Sequence, residues 1–394
     1  MNQKMWKRGI AFALAVVLMV ASLLPSAYAS ESAEDVSLET NSSMDLNCKG
    51  VILMDAATGT ILYEQNADEA LPPASVTKIM TLLLVMEAIE SGQIKLTDMV
   101  STSARAASMG GSQIFLEEGE QMSVEDMIKS VVIASANDAA LALAEYVAGS
   151  EEEFVSRMNK RAAELGMKTA RFENTNGLDD TAEDHVLSAR DIAVMSRELI
   201  KHQTILEYSS IWMDTVRNGE FGLTNTNRLV RFYKGATGLK TGSTSKAKFC
   251  VSATAKRDNM HLICVVMGAP TRDERNAIAA KLFDYGFANY SLFTAEGKTL
   301  DEIKILGGLE NTCGIAYEQF DCVVKKGEEG KVEVTIELED SVSTPVEIGK
   351  EVGKVIYKIG NEVIGEMKIL TTEQIPKISF LDFFVRLLAG MVLK

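Results

Sequence analysis

The sequence predicts a mixed α/β domain in which an antiparallel sheet is flanked by helices, followed by a small all-β domain and an amphipathic C-terminal helix. Residues 71–92 carry apolar side chains at helical spacing behind two prolines, which indicates a long and mostly buried helix. The apolar runs 249–255 and 261–268 flank a short turn, as two antiparallel strands do. Residues 331–338 alternate strictly between polar and apolar, and a later hairpin turns at Gly360, so the last part is predicted to be a small sheet.

Residues 1–29 are predicted to be a secretory signal peptide that is cleaved after Ala29. Three cations precede an apolar run over residues 10–24, and the sequence Ala-Tyr-Ala fits the small-residue rule for cleavage sites. The alternative, an uncleaved anchor, is disfavoured by this well-placed cleavage sequence. The mature protein is therefore expected to work outside the cytoplasm, and the acidic, Ser- and Asn-rich residues 30–47 are expected to form a flexible leader.

Length and composition limit the kinds of partner. At 394 residues the chain is long enough for about two or three domains. Its formal net charge of −15 argues against a nucleic-acid partner. With three histidines and no C-x-x-C pair, no metal site is visible in the sequence, and no cofactor is expected.

The cysteines are odd in number, so at least one has no partner within the chain. They are Cys48, Cys250, Cys264, Cys313 and Cys322. Cys313 and Cys322 flank a predicted turn, and export makes oxidation possible, so we expect that they can form a disulfide. Cys250 is interpreted as a small core residue rather than a catalytic thiol, because no histidine partner is visible.

The predicted helix over residues 71–92 begins with Ser75-Val76-Thr77-Lys78. Ser75 falls in the first turn, and Lys78 stands on the same face one turn later. A serine hydroxyl needs a base to become a nucleophile, and a lysine can be that base when burial or nearby positive charge lowers its pKa. Free N–H groups at the helix start favour negative charge on a reacting oxygen. By itself the pattern also fits a helix cap followed by a lysine that reaches solvent.

A second polar segment, Ser135-Ala136-Asn137, interrupts two apolar helices. The first is predicted over residues 124–133, and the second runs to about residue 147. A buried amide without a partner is costly, so Asn137 must be satisfied. It either caps the second helix or points into a site.

A third segment, Lys240-Thr241-Gly242-Ser243-Thr244, lies on the first strand of a predicted antiparallel hairpin. The helix predicted over residues 276–290 closes this domain and can pack on the sheet.

The three segments occur in the order typical of class A β-lactamases and penicillin-binding proteins. Further matching segments are Phe172-x-Asn174-x-x-Gly177-Leu178, Ser188-Ala-Arg190-Asp191, Gly238-Leu-Lys240-Thr-Gly and Lys281-Leu-Phe-Asp-Tyr-Gly286-Phe. The chain resembles the low-molecular-weight penicillin-binding proteins that are serine D-alanyl-D-alanine carboxypeptidases. The resemblance implies an α/β serine penicillin-recognising domain with an all-helical subdomain over residues 48–298. The small β domain (299–375) and the terminal helix (376–394) match the family only in arrangement.

The resemblance also implies a role for each residue of the first two segments. Ser75 would attack the carbonyl of a terminal D-Ala-D-Ala bond in a peptidoglycan stem peptide, with Lys78 as its base. Ser135 would relay a proton to the departing D-alanine, and Asn137 would hold the substrate's amide. β-Lactam antibiotics would acylate the same serine, and water would hydrolyse the acyl-enzyme.

The remaining substrate-binding residues implied by the resemblance are Lys240, Thr241, Gly242, Ser243, Thr244 and Arg275. Lys240 suits the substrate's terminal carboxylate, helped by Thr241 and Thr244. Arg275 would orient that carboxylate, although a surface role fits it nearly as well. Backbone N–H groups of Ser75 and Ser243 would form the oxyanion hole. Lys248 departs from the family, since some relatives have glycine there.

The sequence supports three alternative functions less well. A class A β-lactamase needs a Glu-x-x-x-Asn pattern for its deacylating water, but Glu164, Glu173 and Glu183 are followed four residues later by residues other than asparagine. A cell-wall binding protein with a vestigial site is disfavoured because all three segments are intact. A Ser-His-Asp hydrolase is disfavoured because the histidines lie in no nucleophile-elbow context.

The C-terminal residues 376–394 are predicted to form a helix that lies in the membrane interface. Polar residues recur at steps of three and four, and the apolar run is too short and interrupted to span a bilayer. The alternative is a helix that covers the β domain. Attachment would hold the protein at the outer face of the cytoplasmic membrane. The side chains expected to face lipid are Ile378, Leu381, Phe383, Phe384, Val385, Leu387, Leu388, Met391, Val392 and Leu393, leaving Ser379, Asp382 and Arg386 toward water.

Overall fold

A computed structural model describes residues 44–179 and 183–392 of the chain. The predicted signal peptide and residues 30–43 of the predicted leader lie outside the described residues. The end of the leader is described, and it is packed rather than free. Leu46 is buried against the first domain, and the Tyr63 hydroxyl donates to the carbonyl oxygen of Met44 (3.3 Å).

The predicted helices and strands are present, together with shorter helices and strands that were not predicted. The strands are β1 (Gly50–Asp55), β2 (Ile61–Gln65), β3 (Met99–Ser101), β4 (Gln121–Ser123), β5 (Met213–Val216), β6 (Phe221–Thr224), β7 (Ala236–Thr244), β8 (Lys248–Arg257), β9 (Met260–Ala269), β10 (Tyr290–Ala295), β11 (Lys298–Leu306), β12 (Thr312–Tyr317), β13 (Phe320–Lys325), β14 (Val332–Leu338), β15 (Val342–Ser343), β16 (Glu351–Ile359) and β17 (Glu362–Thr371). The helices are α1 (Lys78–Glu90), α2 (Ala104–Ala107), α3 (Val124–Lys129), α4 (Asn137–Ala148), α5 (Glu151–Glu164), α6 (Ala189–Leu199), α7 (Gln203–Ser209), α8 (Leu229–Phe232), α9 (Arg272–Asn289) and α10 (Phe380–Val392). A 3-10 turn, Ala74–Thr77, leads into α1, and a π-helical turn, Ser130–Ala134, follows α3.

The first domain is built on a five-stranded antiparallel sheet with the strand order β2-β1-β9-β8-β7. Successive side chains of β1 point to opposite faces of this sheet. Ile52 packs in the core that includes α1 and α6, whereas Val51 and Leu53 pack in the core that includes α9. Because both faces are covered, β8 and β9 read in the sequence as nearly continuous apolar runs. The predicted antiparallel sheet flanked by helices is confirmed.

The helices on one face of the sheet share a single core. Leu83 of α1, Ile128 of α3, Leu141 of α4 and Phe154 of α5 all belong to it. The predicted helix over residues 124–133 is α-helical only as far as α3 extends and then widens into the π-helical turn. That widening ends the helix directly before the Ser-x-Asn segment.

The second domain is a six-stranded sheet with the order β14-β16-β17-β12-β11-β15, beside the two-stranded pair β10 and β13. The predicted hairpin at Gly360-Asn361 is confirmed, since Ile359 pairs with Glu362 across it. Val355, Tyr357 and Ile369 form the centre of its core.

The predicted disulfide between Cys313 and Cys322 is wrong. Both thiols are free, as are those of the other cysteines. The chain does turn between β12 and β13, but the turn carries it into a different sheet, so the two strands do not pair. The Cys313 thiol donates to the carbonyl oxygen of Glu373 (3.8 Å), and the Cys322 thiol donates to that of Ile364 (3.7 Å).

The terminal helix α10 begins at Phe380 rather than at the predicted residue 376, and the Ser379 hydroxyl accepts from the backbone N–H of Asp382 (3.2 Å). The apolar side chains from Phe380 to Leu388 are exposed, Phe380 by 84%. None of the helices in the described part of the chain is long and apolar enough to cross a membrane. Placement of α10 in a membrane interface stays a prediction.

Candidate active site

Ser75 lies in the 3-10 turn that leads into α1, as predicted for the first turn of a buried helix. Two prolines fix the backbone before this turn. Ala74 has a φ of +50°, an uncommon conformation for a residue with a side chain. Lys78 is the first residue of α1, and its Nζ lies 2.9 Å from the Ser75 Oγ. The Ser-x-x-Lys spacing therefore brings the two groups into direct contact.

The Lys78 amine is fully buried and has three oxygen neighbours. Besides the Ser75 Oγ, it donates to the Asn137 Oδ1 (2.5 Å) and to the backbone carbonyl oxygen of Asn176 (3.2 Å). Burial holds the pKa of Lys78 well below its usual value, and the charge of Lys240 lowers it further, while Asp138 acts in the opposite direction. Burial and the charge of Lys240 therefore both favour the neutral, basic form of the amine.

The three neighbours also fix the orientation of the neutral amine. An uncharged amine has two N–H bonds and one lone pair, and the carbonyl oxygens of Asn137 and Asn176 can only accept. Both N–H bonds are therefore taken by these two oxygens. The lone pair is left for the Ser75 hydroxyl, which is the arrangement that a general base requires.

Ser135 and Asn137 follow the π-helical turn. Ser135 has a φ of +64° and is almost fully buried. Asn137 is the first residue of α4, and the residue before it makes no side-chain cap, so the capping alternative for Asn137 is wrong. Its Oδ1 accepts from Lys78, and its Nδ2 donates to the carbonyl oxygen of Gly110 (2.7 Å). Its predicted contact with the substrate's amide stays a prediction.

Strand β7 forms the opposite wall of the site. Lys240 is buried, its Nζ donates to the carbonyl oxygen of Thr241 (2.8 Å), and burial together with the charge of Arg275 lowers the pKa of Lys240 to about 7. A Cβ on Gly242 would lie 2.8 Å from the backbone nitrogen of Ser75 and 2.8 Å from the carbonyl oxygen of Pro73. Only glycine lets the strand pass this close to the turn that carries Ser75.

These walls enclose a cleft of about 160 Å³. Its lining residues are Ser75, Ser112, Ser135, Thr226, Thr241, Gly242, Ser243, Arg272 and Arg275. Six of the predicted site residues therefore share one cleft, while Lys78 lies directly behind Ser75. Lys240 lies buried in the wall strand next to Thr241, which lines the cleft.

Thr244 does not line this cleft. Its hydroxyl accepts from the backbone N–H of Ala247 (3.0 Å), and its side chain lines a separate small cavity with Gly177 and Lys246. A Thr244 contact to a bound carboxylate stays a prediction.

Arg275 is buried and lines the cleft, so the alternative of a surface role is wrong. Burial and the charge of Arg272 lower the pKa of Arg275 to about 10. Arg272 itself was not predicted, although its position three residues before Arg275 places both on one face of α9. Ser112 and Thr226 were also missed, because each lies in a loop whose sequence carries no periodic signal.

The charge of the cleft favours an anionic ligand. Arg272 and Arg275 line it, and Lys240 lies buried in its wall. The described residues that line this cleft include no aspartate or glutamate. A free carboxylate is therefore the group that this end of the cleft is built to accept.

Residues 172–178, one of the matching segments of the resemblance, pack against the turn that carries Ser75. The carbonyl oxygen of Thr175 accepts from the Thr81 hydroxyl (2.5 Å), and that of Asn176 accepts from Lys78. A Cβ on Gly177 would lie 1.9 Å from the carbonyl oxygen of Ala74, so the two backbones are in direct contact. This segment therefore holds both the nucleophile's turn and its base.

Lys248, the departure from the family pattern, has a φ of +58°. A left-handed conformation costs an L-residue roughly 1–2 kcal/mol, and glycine avoids most of this cost. Lys248→Gly is therefore expected to raise the free energy of unfolding by about 1 kcal/mol. Denaturant unfolding should show this gain, while Lys246→Gly, in the same turn but without positive φ, should lower stability. A loss of stability in Lys248→Gly would contradict the strain.

Comparison with known proteins agrees with this geometry. A family model described as D-alanyl-D-alanine carboxypeptidase matches residues 37–271, and one described as the C-terminal domain of penicillin-binding protein 5 matches residues 289–377. The chain is 42% identical to the D-alanyl-D-alanine carboxypeptidase DacF of Bacillus subtilis over 95% of this chain and 96% of that protein.

Solved structures show the same likeness. Penicillin-binding protein 5 of Haemophilus influenzae is 31% identical, with a TM-score of 0.77 over 86% of this chain and all (100%) of that chain. Penicillin-binding protein D2 of Listeria monocytogenes in its ampicillin-bound form is 31% identical, with a TM-score of 0.58 over 62% of this chain and 100% of that one.

Proposed function

Because the chain belongs to the D-alanyl-D-alanine carboxypeptidase family, we propose that it removes the terminal D-alanine from peptidoglycan stem pentapeptides through an acyl-enzyme on Ser75. The observation that carries the proposal is the buried Lys78 amine, whose carbonyl partners leave its lone pair for the Ser75 hydroxyl. The reaction cleaves a peptide bond one residue away from a free carboxylate.

Substrate binding places that carboxylate among the cations. Arg275 and Arg272 meet it from α9, and Thr241 with Lys240 meets it from β7. Burial lowers the pKa of Lys240 to about 7, close to neutral pH. A carboxylate bound nearby favours the protonated form of this amine, because opposite charges attract. The penultimate D-alanine then lies beside Ser75.

Acylation follows from the orientation of the base. Lys78 takes the hydroxyl proton as the Ser75 Oγ attacks the carbonyl carbon of the penultimate D-alanine, and negative charge develops on the carbonyl oxygen. The backbone N–H groups of Ser75 and Ser243 hold that oxygen. The close passage of Gly242 beside the Ser75 nitrogen supports this pairing, because it brings the two main chains together.

The second half of the reaction releases the products and restores the free Ser75 hydroxyl. Ser135 passes the proton from the Lys78 ammonium to the amine nitrogen of the departing D-alanine as the C–N bond breaks. Water then attacks the ester carbonyl, with Lys78 again as base. The bond between the carbonyl carbon and the Ser75 Oγ breaks, and the Oγ recovers a proton.

β-Lactams follow the same first step. Attack by Ser75 opens the four-membered ring, and the product stays attached as an acyl-enzyme. The ampicillin-bound form of the Listeria relative supports this part of the proposal.

The test compares two substrates. Incubation with a stem pentapeptide is expected to release D-alanine with many turnovers, whereas penicillin is expected to acylate the protein once and leave slowly. Rapid penicillin turnover without D-alanine release would instead identify a β-lactamase. Among the described residues, the lining of the cleft has no aspartate or glutamate, and this opposes that outcome, since a class A β-lactamase uses a glutamate to activate its deacylating water.

We further propose that α10 attaches the exported protein to the outer face of the cytoplasmic membrane. The exposed apolar residues of α10 support this, since each well-buried apolar side chain contributes roughly 1.5–3 kcal/mol as an upper estimate. Attachment would keep the cleft near newly made wall peptides.

Deleting residues 377–394 is expected to release active enzyme into the soluble fraction. The backbone N–H of Ile378 donates to the carbonyl oxygen of Gly307 (3.0 Å), so a second truncation that starts at Ser379 keeps this contact with the β domain. Vesicle flotation measures attachment, and penicillin labelling measures activity. A folded truncation that still floats with vesicles would place the anchor elsewhere, and an unfolded one would make α10 part of the core.

A further inference from the structure

His185 is a buried histidine for which the proposed reaction has no use. It lies beneath the turn that carries Ser75, with 7% of its surface exposed. Its Nε2 is 2.8 Å from the Thr77 Oγ1, and its Nδ1 accepts from the backbone N–H of Glu173 (3.1 Å). The ring of Phe172 meets the imidazole edge to face, with centroids 5.7 Å apart.

The donor and the acceptor of each hydrogen bond in the series from Glu173 through His185 and Thr77 to Ala74 can be assigned. A backbone N–H can only donate, so the Nδ1 of His185 must be unprotonated. The neutral ring then carries its proton on Nε2, and burial lowers the pKa of His185 to about 4, which keeps the ring neutral at neutral pH. The Nε2–H donates to the Thr77 hydroxyl, and that hydroxyl donates to the carbonyl oxygen of Ala74 (2.8 Å).

This series of hydrogen bonds ends at Ala74, the residue directly before the nucleophile Ser75. Ala74 has the positive φ noted above, and such a conformation persists only where its surroundings hold it. Gly177 packs against its carbonyl oxygen from one side, and the Thr77 hydroxyl binds the same oxygen from inside the turn. A change in the Ala74 peptide would rotate Ser75 away from the Lys78 amine.

We propose that His185 is a positioning residue for the nucleophile: it orients the Thr77 hydroxyl, which fixes the Ala74 carbonyl and so holds the Ser75 Oγ against the Lys78 amine. The inference rests on the proposed role of Ser75. It adds a support to those from β7 and residues 172–178, and in it two side chains, those of His185 and Thr77, connect the backbone of Glu173 to that of Ala74.

Two substitutions separate donation to Thr77 from simple packing. His185→Gln can place an amide N–H where Nε2–H was, whereas His185→Asn is too short to reach Thr77. We expect His185→Gln to be acylated by fluorescent penicillin within a few-fold of the wild-type rate. His185→Asn should be slower by about 10–100-fold, because small misplacements of reacting atoms cost up to about 10²-fold in rate. The measured quantity is the acylation rate at saturating penicillin, with the apparent dissociation constant little changed.

Thr77 tests the same link without altering the histidine. Thr77→Ser keeps the hydroxyl and should retain the rate, while Thr77→Val removes it and should match His185→Asn. If His185 acts through Thr77, the double variant should be no slower than the slower single variant. Additive losses would overturn the proposal. Should His185→Asn fail to fold, the comparison of Thr77→Ser with Thr77→Val still tests the link, and equal acylation rates in these two variants would overturn it.

His261 supplies the matched control. Its Nε2 lies 3.0 Å from the Thr237 Oγ1, and burial lowers its pKa to about 4, but neither residue lines the cleft. His261→Asn should lower the thermal midpoint and leave the acylation rate unchanged. Equal rate losses in the His185 and His261 variants would reduce His185 to a packing residue. Absence of wild-type acylation at Ser75 would instead contradict the proposed function.

Discussion

Replacing Ser75 with alanine is expected to abolish both covalent penicillin labelling and D-alanine release. The substitution removes only the hydroxyl oxygen, and the half-buried side chain has no other hydrogen-bond partner than Lys78 among the described residues. The fold should therefore persist, with a thermal midpoint close to that of the wild type. Intact-protein mass spectrometry after incubation with penicillin measures the adduct directly.

The control for this variant is Ser91→Ala. Ser91 follows the opposite end of α1, and its hydroxyl donates to the carbonyl oxygen of Ala88 (3.1 Å). This variant should be labelled at the wild-type rate. A folded Ser75→Ala protein that still gains the penicillin mass would exclude Ser75 as the nucleophile.

Removal of the Lys78 amine, by Lys78→Ala or the better-fitting Lys78→Met, has the second largest expected effect. A positioned general base contributes about 10²–10⁴-fold, and among the described residues lining the cleft there is no carboxylate or imidazole to replace it. Acylation at neutral pH should fall by about that factor. Stopped-flow labelling of the variant against wild type measures it.

Lys129→Met is the matched control, because that lysine pairs with Glu125 at 3.0 Å on α3, away from the cleft. Near-normal acylation by Lys78→Met would move the base to another residue and would remove the main support for the proposed mechanism. Loss of folding would be separated from loss of catalysis by the thermal midpoint.

The buried lysines also predict how stability depends on pH. A lysine whose folded-state pKa is lowered binds fewer protons when folded than when unfolded. The free energy of unfolding should therefore rise with pH between the folded value, about 7 for Lys240, and the unfolded value near 10.5. The limiting slope is about 1.4 kcal/mol per pH unit for each such group. Denaturant titrations from pH 7 to 10 should show the slope decrease in Lys240→Met, and an unchanged slope would contradict the burial.

The sequence predicts this site where side chains and local periodicity carry the signal. Ser75 and Lys78 sit one helical turn apart in any helix, so their contact follows from spacing alone. The two apolar strands on either side of residue 258 flank a short turn, which is the pattern of the antiparallel hairpin seen. Arg275 was assigned through the resemblance, and its burial follows from the side of α9 that meets the sheet.

Other parts of the site depend on atoms that every residue shares. The carbonyl oxygen of Asn176, which completes the partners of Lys78, has no signature in a sequence because any residue supplies one. Thr244 and Ser243 are neighbours on β7, yet the hydroxyl of Thr244 binds the following turn instead of facing the cleft. The expected disulfide depended on which sheet β13 would join, and that is decided by distant strands.

The contact of Gly242 and Gly177 with the serine-bearing turn has a consequence for drug resistance. The main chains of two separate segments pack against this turn, and neither Gly242 nor Gly177 has room for a larger residue. Mutations there would disable the enzyme together with its antibiotic sensitivity. Substitutions that survive selection under β-lactams are therefore expected at other residues of the cleft lining, such as Ser112 and Thr226, where a side chain can change while the reacting atoms stay in place.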